Sequence, residues 1–297
     1  MKQVLRAAGL LGALAVVAVV TTGVPAAPVL AHAVIAPQTA PRTAPVPTTV
    51  TEPPPPAPRL ATEVEQAVRE VVDGAELGLV VFDRGTGAVL TELNPDQRFH
   101  SASVVKLLIA LDVLDDAGED LDQRTHDRLH DMIAASDDGI ASAFWVAQGG
   151  PELVTRVAER LGLRDTQPPA DPGQWGDTLL TAQDVVAVYR HVLDDADARD
   201  RELLLTALAG ADRIAADGFD QYFGIPDALS GAHWAVKQGW MRSRSEVALH
   251  TTGLVGADQR YVIALLTSLP AATSWTRAAD AVTAGVGALT AALPKAL

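Results

Sequence analysis

Ser103 and Lys106 stand three residues apart in the stretch FHSASVVKLLIALDVL, residues 99–114. Positions three apart lie on one face of a helix, so this spacing predicts that the two side chains meet. The leucines that follow at helical spacing predict that this face is buried, and burial lowers the pKa of an ammonium group. A neutral amine can accept the proton of a neighbouring serine. The alternative is a lysine whose charged end reaches solvent from an ordinary amphipathic helix.

Two later stretches carry polar side chains that a serine and lysine pair could use. The first is AASDDGIASAFW, which contains Ser136, Asp137 and Asp138. The second is WAVKQGWM, in which the run Lys237-Gln238-Gly239 lies at the predicted edge of a strand. Any one of these patterns is common by chance. Their order along the chain and their contexts carry the information.

The three patterns together resemble the motifs of the serine β-lactamase and penicillin-binding (D-Ala-D-Ala peptidase) superfamily, nearest to class A. That superfamily carries S-x-x-K, then S-D-N or S-x-N, then K-T-G. The stretches FDRGTGAVLTELNPDQRFHSAS, GGPELVTRVAERLGL and GIPDAL also resemble the family's sequence around these motifs. The resemblance covers roughly residues 61–292.

The resemblance implies a role for each matching residue. Ser103 is expected to be the nucleophile and Lys106 the base that activates it. Ser136 is expected to relay the proton toward the leaving nitrogen. Lys237 is expected to keep its charge and to help bind a substrate carboxylate. The backbone N–H groups of Ser103 and Trp240 are expected to form the oxyanion hole, which typically contributes about 3 kcal/mol.

Two motif positions depart from the family pattern. Asp138 replaces the usual Asn, and a carboxylate only accepts hydrogen bonds, whereas an amide also donates them. A carboxylate near Lys106 also favours the charged amine and weakens it as a base. Gln238 replaces the usual Thr or Ser, although its amide can still hydrogen-bond a carboxylate. Together with Gly239, these residues are expected to form part of the substrate-binding site.

A third departure concerns the hydrolysis of an acyl-enzyme. Class A enzymes direct the deacylating water with a glutamate in an Ω-shaped loop, and the matching residues 163–180 contain no glutamate. Asp177 matches the structural end of that loop, which leaves Asp171 as the surrogate to consider. We therefore expect competent acylation, with weak or absent turnover of the class A kind.

The elements that must position these residues point to an α+β fold. Apolar spacing and turn residues predict helices at 60–72, 103–116, 127–147, 151–161, 182–193 and 274–293, a hairpin at 77–93, and strands at 235–237, 247–255 and 261–268. This order fits a β-lactamase-like arrangement, namely a five-stranded antiparallel sheet with terminal helices and an all-helical subdomain. The short interval between Ser103 and Ser136 predicts that this subdomain is reduced.

The first sixty residues differ from the rest. A basic start, an apolar run and Ala31-His32-Ala33 predict a signal peptide over residues 1–33, with an uncleaved membrane anchor as the alternative. Residues 34–60 are proline-rich and predict a disordered linker before a domain at 61–297. The 297 residues contain no cysteine, which excludes the lipoprotein route and disulfides. The net charge of −14 argues against nucleic acid as a partner.

These observations predict an exported serine hydrolase that forms an acyl-enzyme at Ser103. Its expected substrates are cell-wall D-alanyl peptides or β-lactams, and it is expected to be a monomer without metal or cofactor. One alternative is a β-lactamase that deacylates without the glutamate. Another is a binding protein for penicillin or peptidoglycan that is impaired by Asp138 and Gln238. His126 and His130 resemble part of a zinc motif, but a solvated helix face explains them better.

Overall fold

The computed structural model describes residues 57–293. The strands are β1 (Glu76–Asp83), β2 (Ala88–Leu93), β3 (Phe99–His100), β4 (Leu179–Leu180), β5 (Trp234–Arg242), β6 (Glu246–Val255) and β7 (Tyr261–Pro270). The helices are α1 (Ala57–Val71), α2 (Lys106–Ala117), α3 (Gln123–Ala134), α4 (Asp138–Ala147), α5 (Pro151–Leu161), α6 (Ala182–Asp194), α7 (Ala198–Ala209), α8 (Ile225–Ala228) and α9 (Trp275–Gly287). Short 3₁₀ turns lie at Ala102–Val105, Gly118–Asp120, Trp175–Asp177 and Thr290–Ala292.

Strands from both ends of the described chain build one antiparallel sheet. Its order is β2-β1-β7-β6-β5, so the first two strands pair with the last one. This confirms the predicted α+β fold with its five-stranded sheet. Because β5 stands at the edge, one side of this strand has no partner strand in the sheet. The third motif therefore lies on the open edge, with Lys237 opposite Thr252 and Gly239 opposite His250.

The sheet is covered on both faces, and the alternation along its strands shows how. In β1, Val80 belongs to the apolar core shared with α2 and α6, whereas Leu79 and Val81 belong to the core shared with α1 and α9. Each of these side chains is fully buried, and burial of such a side chain contributes about 1.5–3 kcal/mol. The helical side of the molecule, which carries the first two motifs, is thereby fixed against the sheet.

Local signals set several helix ends where the sequence predicted them. Pro151 occupies the first turn of α5, and Gly162 closes that helix with a φ of 66°. Thr181 caps α6, because its side chain accepts the backbone N–H of Asp184 at 3.1 Å. Ser274 caps α9 in the same way. These caps satisfy backbone groups that a helix end otherwise leaves without partners.

Several predicted boundaries were wrong. The strand predicted at 235–237 runs over Trp234–Arg242, and the helix predicted at 274–293 ends at Gly287 before a 3₁₀ turn. The predicted helix at 127–147 is two helices, α3 and α4, because the chain breaks at residues 135–137. The predicted helix at 103–116 begins only at Lys106, after a 3₁₀ turn. Residues 57–60, assigned to the linker, belong to α1. Helices α7 and α8 and the short β3–β4 pair were not predicted at all.

The predicted signal peptide at 1–33 and most of the predicted linker lie outside the described residues. Residues 57–293 belong to one compact unit. Within this range, no helix has the length and apolar character that crossing a membrane requires. Between α2 and α3 the chain makes a single 3₁₀ turn, so the link between these helices is short.

Candidate functional site

Ser103 lies on the 3₁₀ turn that leads into α2. Side chains three residues apart on such a turn eclipse each other, so the tighter turn brings Ser103 and Lys106 together. The Lys106 Nζ lies 2.9 Å from the Ser103 Oγ. Ala102, immediately before the serine, has a φ of 44°, in the left-handed region that a non-glycine residue seldom adopts.

Ser136 lies in the break between α3 and α4. Its own φ is 53°, which turns the chain out of the helical path. Asp137 then caps α4, because its carboxylate accepts the backbone N–H of Ile140 at 2.9 Å. The resulting loop points toward Lys106, whose Nζ donates to the Ser136 carbonyl oxygen at 2.7 Å and lies 3.0 Å from its Oγ.

Lys237 reaches Ser136 from β5. Its Nζ donates to the Ser136 Oγ at 2.9 Å and to the Gln238 carbonyl oxygen at 3.0 Å. The Lys237 carbonyl accepts the Thr252 hydroxyl at 2.6 Å. Because the Thr252 hydroxyl already donates its proton to that carbonyl, the Tyr189 hydroxyl is the donor in its contact with the Thr252 Oγ1 at 3.0 Å. Strands β5 and β6, helix α6 and the break between α3 and α4 thus fix the position of this lysine.

Ser103, Lys106, Ser136 and Lys237 form one continuous chain of polar contacts, which we call the cleft floor. The exposed fraction is 5% for Ser103, 3% for Ser136, 0% for Lys106 and 1% for Lys237. In this dry environment, each hydrogen bond is electrostatically stronger than it is in water. The arrangement can pass a proton from one hydroxyl to the other through the Lys106 amine.

Lys106 and Lys237 both contact Ser136, so their positive charges would repel each other. Burial lowers the pKa of Lys106, and the Asp138 carboxylate, 2.6 Å from its Nζ, raises it again. Burial and then the charge of Lys106 hold the pKa of Lys237 well below its usual range. The environment of Lys237 therefore works against the expectation that this residue keeps its charge.

Gln238 does not face the cleft, contrary to its predicted role with the substrate. Its side chain is fully buried, and its Nε2 donates to the Gln221 carbonyl oxygen at 3.2 Å and to the Phe223 carbonyl oxygen at 2.7 Å. Side chains alternate between the two faces of a strand, so Gln238 points away from Lys237. In this structure, Gln238 ties β5 to the segment before α8.

Gly239 allows β5 to approach the 3₁₀ turn that carries Ser103. A Cβ atom at this position would lie 3.0 Å from the Ser101 carbonyl oxygen and 3.0 Å from the Val104 Cγ2. Any larger residue would therefore push the 3₁₀ turn away from the strand. The use of the Ser103 and Trp240 N–H groups as an oxyanion hole stays a prediction.

Above the cleft floor opens a cleft with a volume of about 380 Å³. Of the residues that line it, we call the following group the cleft rim: Asp138, Trp175, Asp177, Asp217 and Trp240. Sequence reasoning identified Asp138 and Trp240, but it missed Trp175 and Asp217 as lining residues. Nothing in the sequence near Trp175 marks this residue as part of a site. Asp217 precedes a glycine, which indicates only a turn.

The rim side chains are held by hydrogen bonds. The Trp240 Nε1 donates to the Asp217 Oδ2 at 3.0 Å, and the backbone N–H of Phe219 donates to the Asp217 Oδ1 at 2.9 Å. The Trp175 Nε1 donates to the Ser142 Oγ at 3.2 Å. Asp217 therefore presents its carboxylate to the cleft in a fixed orientation, beside a tryptophan ring.

Comparisons with known proteins agree with this fold. A model of the "Beta-lactamase enzyme family" matches residues 59–128. The Mycobacterium tuberculosis protein named "Putative lipoprotein LppW" is 40% identical over 227 residues, which cover 74% of this chain and 72% of that protein. A β-lactamase structure from Chitinophaga pinensis has a TM-score of 0.65 at 13% identity, over 79% of this chain and 99% of its own. The chain belongs to the serine β-lactamase and penicillin-binding protein superfamily. A PBP-A mutant, solved as an acyl-enzyme complex with penicillin G, has a TM-score of 0.63 at 19% identity, over 82% of this chain and 99% of its own.

In residues 163–180, where class A enzymes carry their Ω-loop glutamate, this chain has only aspartates as acidic residues. The surrogate that we considered, Asp171, is exposed, and its carboxylate accepts the backbone N–H of Gly173 at 2.9 Å in a local turn. It does not line the cleft, whereas Asp177 does. Asp171 is therefore not placed to replace the glutamate, because its side chain forms the local turn at residues 171–174 and does not line the cleft.

The histidine pair of α3 has local partners. The His126 Nδ1 lies 3.2 Å from the Asp127 Oδ1, and the His130 Nδ1 lies 3.3 Å from the Asp131 Oδ1. Within residues 57–293, no group of three or more histidine, aspartate or glutamate side chains is arranged to hold a metal ion. Both histidines are partly exposed, whereas Leu129 and Met132 of the same helix are buried.

Proposed function

We propose that this protein is an active-site-serine hydrolase that forms an acyl-enzyme at Ser103. The observation that carries the proposal is the cleft floor, in which the Ser103 Oγ contacts Lys106 and both lysines contact the Ser136 Oγ. A nucleophile within hydrogen-bond reach of a base that a third group orients is the arrangement that covalent catalysis needs.

The proposed acylation moves one proton through this chain. Lys106, in its neutral form, accepts the Ser103 hydroxyl proton while the Ser103 Oγ attacks the substrate carbonyl carbon. The Ser103 and Trp240 N–H groups stabilise the negative oxygen of the tetrahedral intermediate. The C–N bond then breaks. The leaving nitrogen takes a proton from the Ser136 hydroxyl, which is reprotonated by Lys106.

Hydrolysis of the resulting ester is expected to be slow. No glutamate stands in residues 163–180, and Asp171 is turned into solvent. Asp177 is the carboxylate of that segment that lines the cleft, and this observation favours a second candidate, a β-lactamase that deacylates by a non-glutamate route. A lasting acyl-enzyme separates the first candidate from the second.

The proposed substrates are acyl compounds of the cell wall, either D-alanyl peptides or β-lactams that mimic them. The PBP-A structure with bound penicillin G belongs to a protein with the same fold. We further propose that residues 1–33 direct export, since the M. tuberculosis relative is named as a lipoprotein. The sequence contains no cysteine that could carry a lipid. We propose that the exported protein acts as a monomer without cofactor or metal.

A binding protein without turnover is the third candidate, and the contact between Asp138 and Lys106 favours it. A carboxylate 2.6 Å from the amine stabilises the protonated form, which cannot take the Ser103 proton. In such a protein, the cleft would hold a cell-wall peptide or penicillin without forming the ester.

The first test is intact-protein mass spectrometry of the exported chain after incubation with benzylpenicillin. We expect an adduct that lasts and that is absent in the Ser103→Ala variant. Benzylpenicillin consumed without an adduct would support the β-lactamase with its own deacylation route. If neither an adduct nor consumption occurs, the binding protein becomes the better description.

A further inference from the structure

The charged side chains that line the cleft in the described part of the chain are three aspartates. Asp138, Asp177 and Asp217 face the cleft, whereas the two lysines of the cleft floor are buried beneath it. Opposite charges in a cleft raise the local concentration of a ligand and like charges lower it, and the net charge of −14 acts in the same direction. Asp138 is paired with Lys106, whose Nζ lies 2.6 Å from its Oδ1, so the repulsion that a substrate carboxylate meets at the rim comes mainly from Asp177 and Asp217.

The groups that could bind a carboxylate in this region are occupied elsewhere. Lys237 donates to Ser136 within the floor, and Gln238 donates to carbonyl groups on the opposite face of the sheet. Arg242 donates to the carbonyl oxygens of Ala271 and Thr273. Arg244 is exposed and does not line the cleft. A carboxylate beside the scissile bond has no free cationic partner among these side chains.

Two aromatic faces complete the rim. Trp175 and Trp240 line the cleft next to the aspartates, and the indole face is the side-chain surface that attracts cations most strongly. The Lys106 Nζ already lies 5.0 Å from the centroid of the Trp175 ring. Carboxylates beside indole faces suit an ammonium group, because the carboxylate supplies charge and the ring excludes water.

We infer that the cleft selects acyl substrates that carry an amine beside the scissile bond, and that it disfavours those with a carboxylate there. Asp217 is the specificity-determining residue, since two donors fix its carboxylate over the cleft on the side of β5. The inference rests on the proposed function, because it assumes that the substrate's carbonyl group is presented to Ser103. It narrows the proposed substrates, since acyl compounds with an amine beside the scissile bond are favoured over the D-alanyl peptides and β-lactams that carry a carboxylate there.

Binding to the Ser103→Ala variant tests this selectivity without turnover. The probes are N-acetyl-D-alanyl-glycine, which ends in a carboxylate, and the N-acetyl-D-alanine amide of ethylenediamine, which ends in an amine. We expect the amine to bind about tenfold more tightly in an NMR titration. Adding Asp217→Asn should reduce that ratio to about threefold. Equal affinities, tighter binding of the carboxylate, or no binding of either probe would overturn the inference.

A charge-matched control uses Glu159→Gln on the exposed face of α5, outside the cleft. This variant removes the same charge from the protein, so it separates an effect of net charge from an effect of the cleft. The ratio of the two affinities is expected to stay unchanged. A ratio that falls as much as it does with Asp217→Asn would contradict a local role for Asp217.

Acylation of the wild-type protein provides the second readout. Benzylpenicillin, its methyl ester and its diethylaminoethyl ester share one β-lactam ring and differ in charge beside the scissile nitrogen. We expect the cationic ester to acylate Ser103 fastest and the free acid slowest, about tenfold apart. The free acid reacting fastest would overturn the inference. If none of the three acylates Ser103, the proposed function fails, and the binding pair still decides the selectivity.

Discussion

The cleft floor and the cleft rim are built in opposite ways. The floor side chains are buried and contact one another, and each comes from a different element of the fold. The rim side chains are partly or fully exposed. A 3₁₀ turn carries Trp175 and Asp177, and a loop carries Asp217. A change in the floor disturbs a satisfied polar network, whereas a change in the rim alters mainly what the cleft attracts.

This contrast explains where the chain follows the motifs of its superfamily and where it departs from them. Ser103, Lys106 and Ser136 keep the expected residue types and geometry. Asp138 belongs to the rim but contacts Lys106 of the floor, so this departure couples recognition to chemistry. Gln238 belongs to neither group, because it supports β5 from the opposite face.

The largest expected effect follows from removing Lys106, the proposed general base in the cleft floor. Lys106→Met keeps the length of the side chain but removes the amine that is proposed to take the Ser103 proton. General-base catalysis contributes about 10²–10⁴-fold, so we expect the rate of acylation by benzylpenicillin to fall by about 10³-fold. Intact-protein mass spectrometry over time measures this rate.

Near-UV circular dichroism of the same variant shows whether the fold survives, since the substitution leaves the Ser136 carbonyl oxygen without its donor. We expect a native spectrum, because the Asp138 partner is largely exposed and regains water. A folded Lys106→Met variant that acylates at the wild-type rate would show that the lysine is structural.

The next effect concerns the support beneath the floor, where His250 lies buried under Gly239. Its Nδ1 accepts the Thr267 N–H at 3.1 Å, so the ring proton is on Nε2, which donates to the His100 carbonyl oxygen at 2.7 Å. Burial lowers the pKa of His250 from 6.5 to about 4. Between pH 6.5 and 4, His250 is therefore protonated in the unfolded chain but neutral in the folded protein.

The neutral His250 therefore does not reduce the free energy of unfolding above pH 6.5. As the pH falls from 6.5 to 4, the free energy of unfolding should decrease by up to about 3 kcal/mol, because only the unfolded chain gains the proton. Urea denaturation of the wild type and of His250→Gln measures this loss. The variant has no titrating ring, so its curve should fall less steeply, although carboxylates titrate in both proteins. Parallel curves would contradict a buried neutral histidine.

A smaller effect is expected for Gln238, the residue that the sequence assigned to the substrate. Gln238→Met leaves the Gln221 and Phe223 carbonyl oxygens without their donor, which costs about 2 kcal/mol. Urea denaturation measures this cost. Gln123→Met on an exposed helix end is the matched control, with an expected change within about 0.5 kcal/mol.

The acylation rate per folded molecule sharpens this test. A support residue should change that rate by about threefold or less, because the side chain does not reach the cleft. A large loss of acylation with unchanged stability would instead return Gln238 to substrate binding. The variant therefore separates a residue that holds the site from one that contacts its ligand.

Local signals predicted the elements, whereas long-range contacts decided the details of the site. The ends of α5 and α6 follow from Pro151, Gly162 and Thr181, and each of these acts within one turn of its own helix. The break at Ser136 was not predicted, because Ile133, Ile140 and Phe144 keep the helical phase on both sides of it and the capping signal of Asp137 was overlooked. Contacts from distant segments hold that break, among them the Lys106 bond to the Ser136 carbonyl.

The hydrogen-bond partners of Gln238 and the place of Asp217 also depend on long-range contacts. The segment 211–223 is bound to the end of α3, where the Asp212 N–H donates to the Ala134 carbonyl oxygen at 3.0 Å. This places Asp217 over the cleft and the Phe223 carbonyl beneath Gln238. No pattern within β5 or within this segment reports their association, so the sequence indicated the motif but not its neighbours.

The smallest expected effect arises where rim and floor meet. Asp138→Asn removes the charge that favours protonated Lys106 but keeps a side-chain oxygen near the amine. Acylation needs the neutral amine, so its rate rises with pH through the pKa of Lys106. Removing the carboxylate lowers that pKa, which moves the acidic limb of the profile to lower pH and raises the rate at neutral pH about tenfold.

The methyl ester of benzylpenicillin is the probe for this comparison, because an uncharged β-lactam does not respond to the charge of the rim itself. Asp137→Asn is the matched control: it removes the same charge one residue away and still caps α4, so its limb should move less. A limb that does not move in Asp138→Asn would show that the contact at 2.6 Å leaves the base unaffected. The case for an impaired binding protein would then lose its physical ground, and floor and rim would act independently.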